Sequence, residues 1–332
     1  MGRKRTRNKK DTNSLESINS RAGEFLPKRR HEIGGDKCTV VDGMHLAYRA
    51  YYAHKNFRHK GKPTSIIFGV INMLKSFIFQ NGSAKVIVCW DGGNHPERLK
   101  LLPEYRSSRK KKRDPEERKA FIKQLQRVQR MLYYLGIPQA YNPKVEGDDM
   151  VYLVTQEMVK LYKIRILSGD KDFKQLINKD IHIHNPNEKY GEDWTTFFLH
   201  AKVEVYQYVD WLSLVGDDSD DIPGYRGIGP VRAQKFLNKF GSIRNFIKNR
   251  MFEFSGISDR KALKRIWKRN RRLIDLKWFN EKYHTSDDIT YIRGRRNPDF
   301  NPEKFKEQCL RFGLKTFLFE KFLEPFKKLA NE

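Results

Sequence analysis

Cysteine is scarce: three residues in 332, Cys38, Cys89 and Cys309, widely spaced and with no CxxC pair. That excludes a disulfide framework and leaves a thiolate zinc site without support. No apolar run approaches the ~18 residues of a membrane span, and the basic start does not lead into the apolar stretch of a secretory signal. The expected setting is reducing and cytoplasmic, with no membrane partner. Acidic residues are also in deficit, 40 Asp plus Glu against 67 Lys plus Arg, for a net charge of +27. An acidic-surfaced metabolic enzyme is therefore not the default expectation. The length is enough for one large domain or two smaller ones, each with a full core.

Residues 1–36 are basic and polar with no periodic apolar face, and read as a flexible tail that either solubilises the chain or adds a phosphate anchor. Beyond them, the apolar runs Cys38 to Val41, Lys85 to Trp90, Ile164 to Leu167 and Ile181 to His184 alternate with helical stretches at Thr64 to Gln80 and Asp148 to Tyr162. Alternation of this kind predicts an α/β fold, a parallel sheet with helices on both faces. Three of the runs are followed closely by an aspartate: Asp42, Asp91 and Asp170. In open parallel sheets, chemistry collects beyond the carboxyl ends of the strands. A basic insertion spans 93–135, and after Val203 the pattern turns helical, with segments at Val205 to Val215, Val231 to Phe240 and Lys261 to Arg272. The expected organisation is a tail (1–36), a sheet domain (37–200) and a helical region (201–332).

Asp42, Asp91, Glu146, Asp148, Asp149, Asp170, Asp172, Asp217 and Asp220 fall in five short segments: VVDG, VCWDGG, EGDD, SGDKD and GDDSD. Any one of these could be a turn or a helix cap. Together in so basic a chain they predict a cation site, because clustered carboxylates repel unless a cation intervenes. All-oxygen ligands without a His or Cys cluster favour Mg²⁺ or Mn²⁺ over zinc, and paired ions suit in-line attack on a phosphodiester.

In their order and spacing, VVDGMHLAYRAYYA, VCWDGG, LPEYRSSR, VEGDDM, LSGDKDFKQL and LVGDDSDDIPGYRGIGPVRA resemble the 5′-nuclease superfamily. Within it they are closest to bacteriophage flap endonucleases and the 5′-nuclease domain of bacterial DNA polymerase I. The resemblance implies a PIN-like core, a basic arch over the active site, a helix-hairpin-helix (H3TH) subdomain and two-metal hydrolysis in a bacterial or phage-infected cell. Carried over by position, Asp42, Asp91, Glu146 and Asp148 would hold one ion, with Asp149 close by. Asp170, Asp172 and Asp217 would hold the other, supported by Asp220. Partners would be DNA with a 5′ flap, nick or free 5′ end, RNA–DNA hybrids being a further candidate, bound by a monomer.

Arg98, Tyr105, Arg106, Arg109 and Lys110 stand where similar proteins contact phosphates, with Tyr105 a candidate for base stacking. Similar proteins usually carry Lys at the position of Arg106, which is expected to supply transition-state electrostatics. Gly227 and Gly229, with Gly224 and Ile228, form the hairpin that in similar proteins presents N–H groups to duplex phosphates and binds K⁺ through carbonyls. Arg232 and Lys235 follow on the next helix. Val231 and Asp221 depart from the usual Lys and Asn, which shifts expected duplex grip toward Arg232, Lys235 and the Lys261 to Arg272 helix. Two other readings compete, a PIN-type ribonuclease and a non-catalytic branched-DNA binding protein.

Overall fold

The computed structural model describes residues 37–111, 114–188, 191–294 and 296–331, with the side chains of 110 and 111 left aside. The expected tail and the Lys110 side chain lie outside the described residues. Asp36–Glu332 forms one compact unit.

The strands are β1 (Lys37–Asp42), β2 (Arg58–His59), β3 (Lys62–Pro63), β4 (Lys85–Cys89), β5 (Gln139–Ala140), β6 (Lys163–Leu167), β7 (Ile181–His184), β8 (Gly216–Asp217) and β9 (Ile222–Pro223). The helices through the sheet region are α1 (Gly43–Ala53), α2 (Ser65–Asn81), α3 (Pro96–Leu101), α4 (Ser107–Lys111), α5 (Pro115–Tyr134) and α6 (Gly147–Met158). Those that follow are α7 (Trp194–Ala201), α8 (Tyr208–Val215), α9 (Pro230–Phe240), α10 (Ile243–Lys248), α11 (Arg260–Ile274), α12 (Leu276–Tyr283), α13 (Pro302–Phe312) and α14 (Glu320–Asn331).

The central sheet has the order β5-β4-β1-β6-β7, and its pairings are parallel. This is the expected α/β architecture. Each strand buries both faces, so side-chain alternation distributes it between two cores. Cys38 and Val40 of β1 pack with α6, α8, α9 and α11 on one side. Val41, with Val86 and Val88 of β4, packs with α1, α2 and α5 on the other. Strand β5 is two residues long, too short for an alternation signal, and the sequence pattern did not reveal it.

Helix α5 carries the second half of the basic insertion. Its Phe121, Val128, Met131 and Leu132 are buried against α2, so this part belongs to the core, and only the stretch through α3 and α4 can lie over the carboxylates. The last two helices close the same core. Phe317, in the turn between them, stacks on Phe68 of α2 (5.6 Å, 10°) and on Phe322 (4.1 Å, 18°). Phe317 is 1% exposed, so Phe317→Ala removes a fully buried ring. It should lower the unfolding free energy in urea by about 3–5 kcal/mol; a loss under about 1 kcal/mol would show that this end of the chain is loosely held.

Candidate active site

The carboxylates gather at the carboxyl edge of the sheet, and local hydrogen bonds place most of them. Asp42 ends β1 and caps α1, accepting from the His45 N–H at 2.9 Å. Its other oxygen accepts from Ser168 Oγ (2.9 Å), which in turn accepts from the Asp170 N–H (3.0 Å). Asp170 then accepts from the Asp172 N–H at 2.9 Å. Asp91, beyond β4, accepts from the N–H groups of Gly93 and Gly147 at 2.7 and 3.2 Å, which joins it to the start of α6. Glu146 precedes that helix, and Asp148 and Asp149 lie in its first turn. Asp217 and Asp220 come from β8 and the turn after it, each 4% exposed.

Crowding shows in their proton affinities. Burial first, then the charges of Asp148 and Asp170, push Asp42 up to about 7, against the lowering by His45 and Ser168. Burial and Asp148 raise Asp170 to about 6. Asp172 is raised well above the ordinary range by burial, Asp170 and Asp217, and its buried Oδ1 has no hydrogen-bond partner. Burial raises Asp91 and Asp220 as well, although Arg106 works against it in both.

Arg106 balances much of this charge. It is 5% exposed and donates from Nη1 to Glu146 (2.7 Å), from Nη2 to Asp148 (2.7 Å) and from Nε to Asp220 (3.0 Å). One planar guanidinium thus binds acids from two separate loops. Lys171 adds a partner for Asp217 at 3.3 Å. Among the described residues, no group of three or more His, Cys, Asp or Glu side chains is spaced to hold a metal ion. Arg106 holds Glu146, Asp148 and Asp220 on itself. The donor set nonetheless fits a hard divalent cation: it is all oxygen, crowded, and leaves a buried carboxylate oxygen unsatisfied.

Several expected contacts are corrected. Arg98 is 2% exposed, so it does not face a nucleic acid; its guanidinium forks onto both oxygens of Asp149, at 2.5 and 2.9 Å, and lies 3.7 Å from the Phe279 ring centroid. Asp149, fully buried and also holding Asn280 Nδ2 at 2.8 Å, is a structural partner and not a free ligand. Tyr105 is 3% exposed and donates to Glu146 at 2.9 Å, so its ring is not presented to a base. Arg106 likewise faces carboxylates and not solvent.

Arg109 is half-exposed and reaches Asp220 and the Ser219 carbonyl. At the hairpin, Gly227 has φ +83° and Gly229 caps α9. Arg232 and Lys235 are exposed. Arg232 Nη1 donates to the Gly227 carbonyl at 2.9 Å, so a guanidinium already occupies one carbonyl of the hairpin. A Cβ on Gly224 would fall 2.3 Å from the Val215 carbonyl oxygen, so close backbone approach requires glycine there.

Sequence reasoning missed Ser168, His45, Lys171, Asn280 and Asp221 as parts of the site. Asp221 has φ +57° and accepts from the Ser108 N–H at 2.8 Å, tying α4 to the Asp217 to Asp220 turn. Lys171 lies inside SGDKD and could have been read there. His45 accepts from the Gly169 N–H at 3.2 Å, and nothing in its spacing pointed to that.

Two family models match: a 5′-3′ exonuclease N-terminal, resolvase-like domain over residues 37–205, and a 5′-3′ exonuclease C-terminal SAM fold over 203–306. The chain belongs to the 5′-3′ exonuclease family. It is a nuclease by that membership. It is 32% identical over 212 residues to the 5′-3′ exonuclease of Aquifex aeolicus, covering 63% of this chain and 72% of that one. It is 33% identical over 214 residues to the thermostable DNA polymerase I of Thermus aquaticus, but spans only 25% of it. The fold matches T5 5′-exonuclease, solved with zinc, at TM-score 0.67 and 21% identity over 83% of this chain and 99% of that one. It also matches the catalytic core of Rad2 in complex with DNA substrate, at 0.57 and 18% over 94% and 99%.

The Arg98–Asp149 pair makes this family member sensitive to single substitutions. Arg98→Met should cost about 3–5 kcal/mol in urea unfolding by stranding a buried carboxylate, and Arg98→Met with Asp149→Leu should recover most of it; equal losses in both would mean that the pair is not coupled. In chelator, Asp42, Asp170 and Asp172 bind protons more tightly folded than unfolded. Their stabilising contribution is full below the ordinary carboxylate pKa of about 4 and is lost as pH rises through about 6 to 7. The melting temperature of the chelated protein should fall over that window, and less so in Asp172→Asn. Identical profiles would contradict the raised proton affinity of Asp172.

Proposed function

We propose that the chain is a divalent-metal-dependent, structure-specific 5′-nuclease that hydrolyses phosphodiesters at or near the 5′ ends of nicked and flapped DNA. The observation that carries the reading is the buried, partnerless Asp172 oxygen in a group of acids with Asp170 and Asp217, whose neutralisation calls for a cation. T5 flap endonuclease solved with DNA and metal ions, and the Rad2 core solved with DNA substrate, support the same substrate class. An RNA primer annealed to DNA presents an equivalent 5′ end and falls within that class. Three buried free cysteines accord with a cytoplasmic setting.

Asp42, Asp91, Glu146 and Asp148 would hold one Mg²⁺ or Mn²⁺, and Asp170, Asp172, Asp217 and Asp220 the second. The chemistry such ions supply is a lowered pKa for the attacking water and positive charge for the phosphoryl oxygens. The protein's own residues do the rest. Ser168 and the N–H groups of His45, Gly147 and Asp172 fix the carboxylate rotamers. Arg106 brings a fixed positive charge into the carboxylate group. Exposed Lys261, Lys264, Arg265, Lys268 and Arg272 lie along one face of α11 and, with Arg232 and Lys235, suit the backbone of a duplex.

Time courses on a labelled 5′-flap duplex test this reading. Asp170→Asn should abolish cleavage in Mg²⁺ while leaving flap binding within a few-fold of wild type; wild-type turnover would end the metal assignment. Arg106→Ala should slow cleavage and tighten terbium binding, read by luminescence, by about tenfold, an effect of ~1.4 kcal/mol. Unchanged or weaker terbium binding would show that Arg106 does not compete for the carboxylates.

A further inference from the structure

Glu146 is fully buried, and the groups around it differ in what they do to its charge. Tyr105 and Arg106 donate to Oε2 at 2.9 and 2.7 Å. On the other side, Arg98 Nη1 lies 3.2 Å from Oε1, and the main-chain N–H of His95 donates to the same oxygen at 2.7 Å. The two arginines are cations, and they offset the charge that draws a metal ion. A peptide N–H orients a carboxylate and leaves its charge in place, which is how groups that hold a metal ligand from behind act.

The direction of that N–H is set by side chains, because residues 90–95 form no helix or strand. The loop is tied at Gly92, whose N–H donates to the Val145 carbonyl, and at Gly93, whose N–H donates to Asp91. Past Gly93, which sits at φ +115°, the ring of His95 supplies the hold. Its Nδ1 accepts from the Glu97 N–H at 3.2 Å and caps α3. The ring packs on Phe279 (5.0 Å, 90°) and Tyr283 (5.6 Å, 43°) of α12, and on His284 just after that helix (5.1 Å, 86°). Edge-to-face pairs of this kind are favourable beyond the area they bury. Phe279 also carries the Arg98 guanidinium at 3.7 Å, so one ring backs both groups that reach Oε1. His284 Nε2 is buried without a hydrogen-bond partner, a loss of free energy that the packed rings offset.

We infer that His95 is a positioning residue for the metal ligand Glu146. The rings of α12 and His284 clamp its imidazole, and the clamped loop aims its N–H at Oε1, so that the carboxylate keeps the orientation a cation requires. The inference deepens the nuclease reading and rests on its assignment of Glu146 to an ion.

Two substitutions at one position separate the N–H from the ring. His95 has φ −72° and ψ 132°, a backbone that proline adopts. His95→Pro therefore deletes both the ring and the N–H, and His95→Ala deletes the ring alone. Terbium luminescence on the full chain reads ion affinity without turnover. Affinity should fall by a few-fold in His95→Ala and by about tenfold or more in His95→Pro, the usual effect of losing a partner that holds a metal ligand. His95→Phe keeps the N–H and a ring in the clamp, and should stay closer to wild type than His95→Ala does. On a 5′-flap duplex, His95→Ala and His95→Pro should need more Mg²⁺ for half-maximal rate yet approach the wild-type rate at saturating Mg²⁺, a split that general loss of structure would not give. Melting in chelator checks folding; where His95→Pro does not fold, His284→Leu removes one ring of the clamp, leaves His95 whole and should weaken terbium in its place. Equal affinities in His95→Pro and His95→Ala would overturn the inference, and so would a His95→Ala or His284→Leu protein that binds like wild type, with the metal reading left standing. Absence of terbium binding by wild type would sink both.

Discussion

One buried guanidinium holds the charge balance on which the site depends. Arg106 reaches Glu146, Asp148 and Asp220 at once; without it Arg98 would still pair with Glu146 and Arg109 with Asp220, but no single cation would hold the three largely buried carboxylates together. In a low-dielectric setting their mutual repulsion is costly, and buried charge persists only when paired. The segment through α3 and α4 therefore lies down on the carboxylates. The Arg106 N–H bonds to the Asp220 carbonyl, the Ser108 N–H to Asp221, and Arg109 to the Ser219 carbonyl. Arg106 itself sits at φ +54°, a conformation that a non-glycine residue adopts at some cost, and the three charge-assisted contacts offset it.

The same charge logic joins the sheet region to the helices that follow it. Asp149 looks inward from α6 to Arg98, whose Nε donates to the Leu273 carbonyl at the end of α11 and whose plane covers Phe279 of α12. Asn280 closes the group from α12. Adjacent residues of one helix turn thus have opposite fates, Asp148 facing the site and Asp149 facing the interior, as a step of 100° around the helix axis requires.

Much of the architecture was legible in the sequence because it rests on short-range physics. Parallel-sheet strands are buried on both faces and read as apolar runs, and β1, β4, β6 and β7 fell where those runs lie. Helices α2, α6, α9 and α11 followed their 3.6-residue periodicity to within a few residues. Strand β5 escaped because two residues carry no period. The β2–β3 hairpin escaped because its pairing is equally short. The grouping of the acids was legible too, since each lies at a strand end or a helix start that the topology gathers on one edge.

By itself the sequence determined where most strands and helices lie and that the acidic segments fall at their ends: element type and succession along the chain follow from local periodicity, and local periodicity is written residue by residue. Only the tertiary structure decided which charged groups face a ligand and which face each other. By resemblance Arg98, Tyr105, Arg106 and Asp149 were expected to be surface or ligand residues, yet each is turned inward by a partner 40 or more positions away. Such pairings depend on desolvation and close packing between distant segments, quantities that no local pattern encodes.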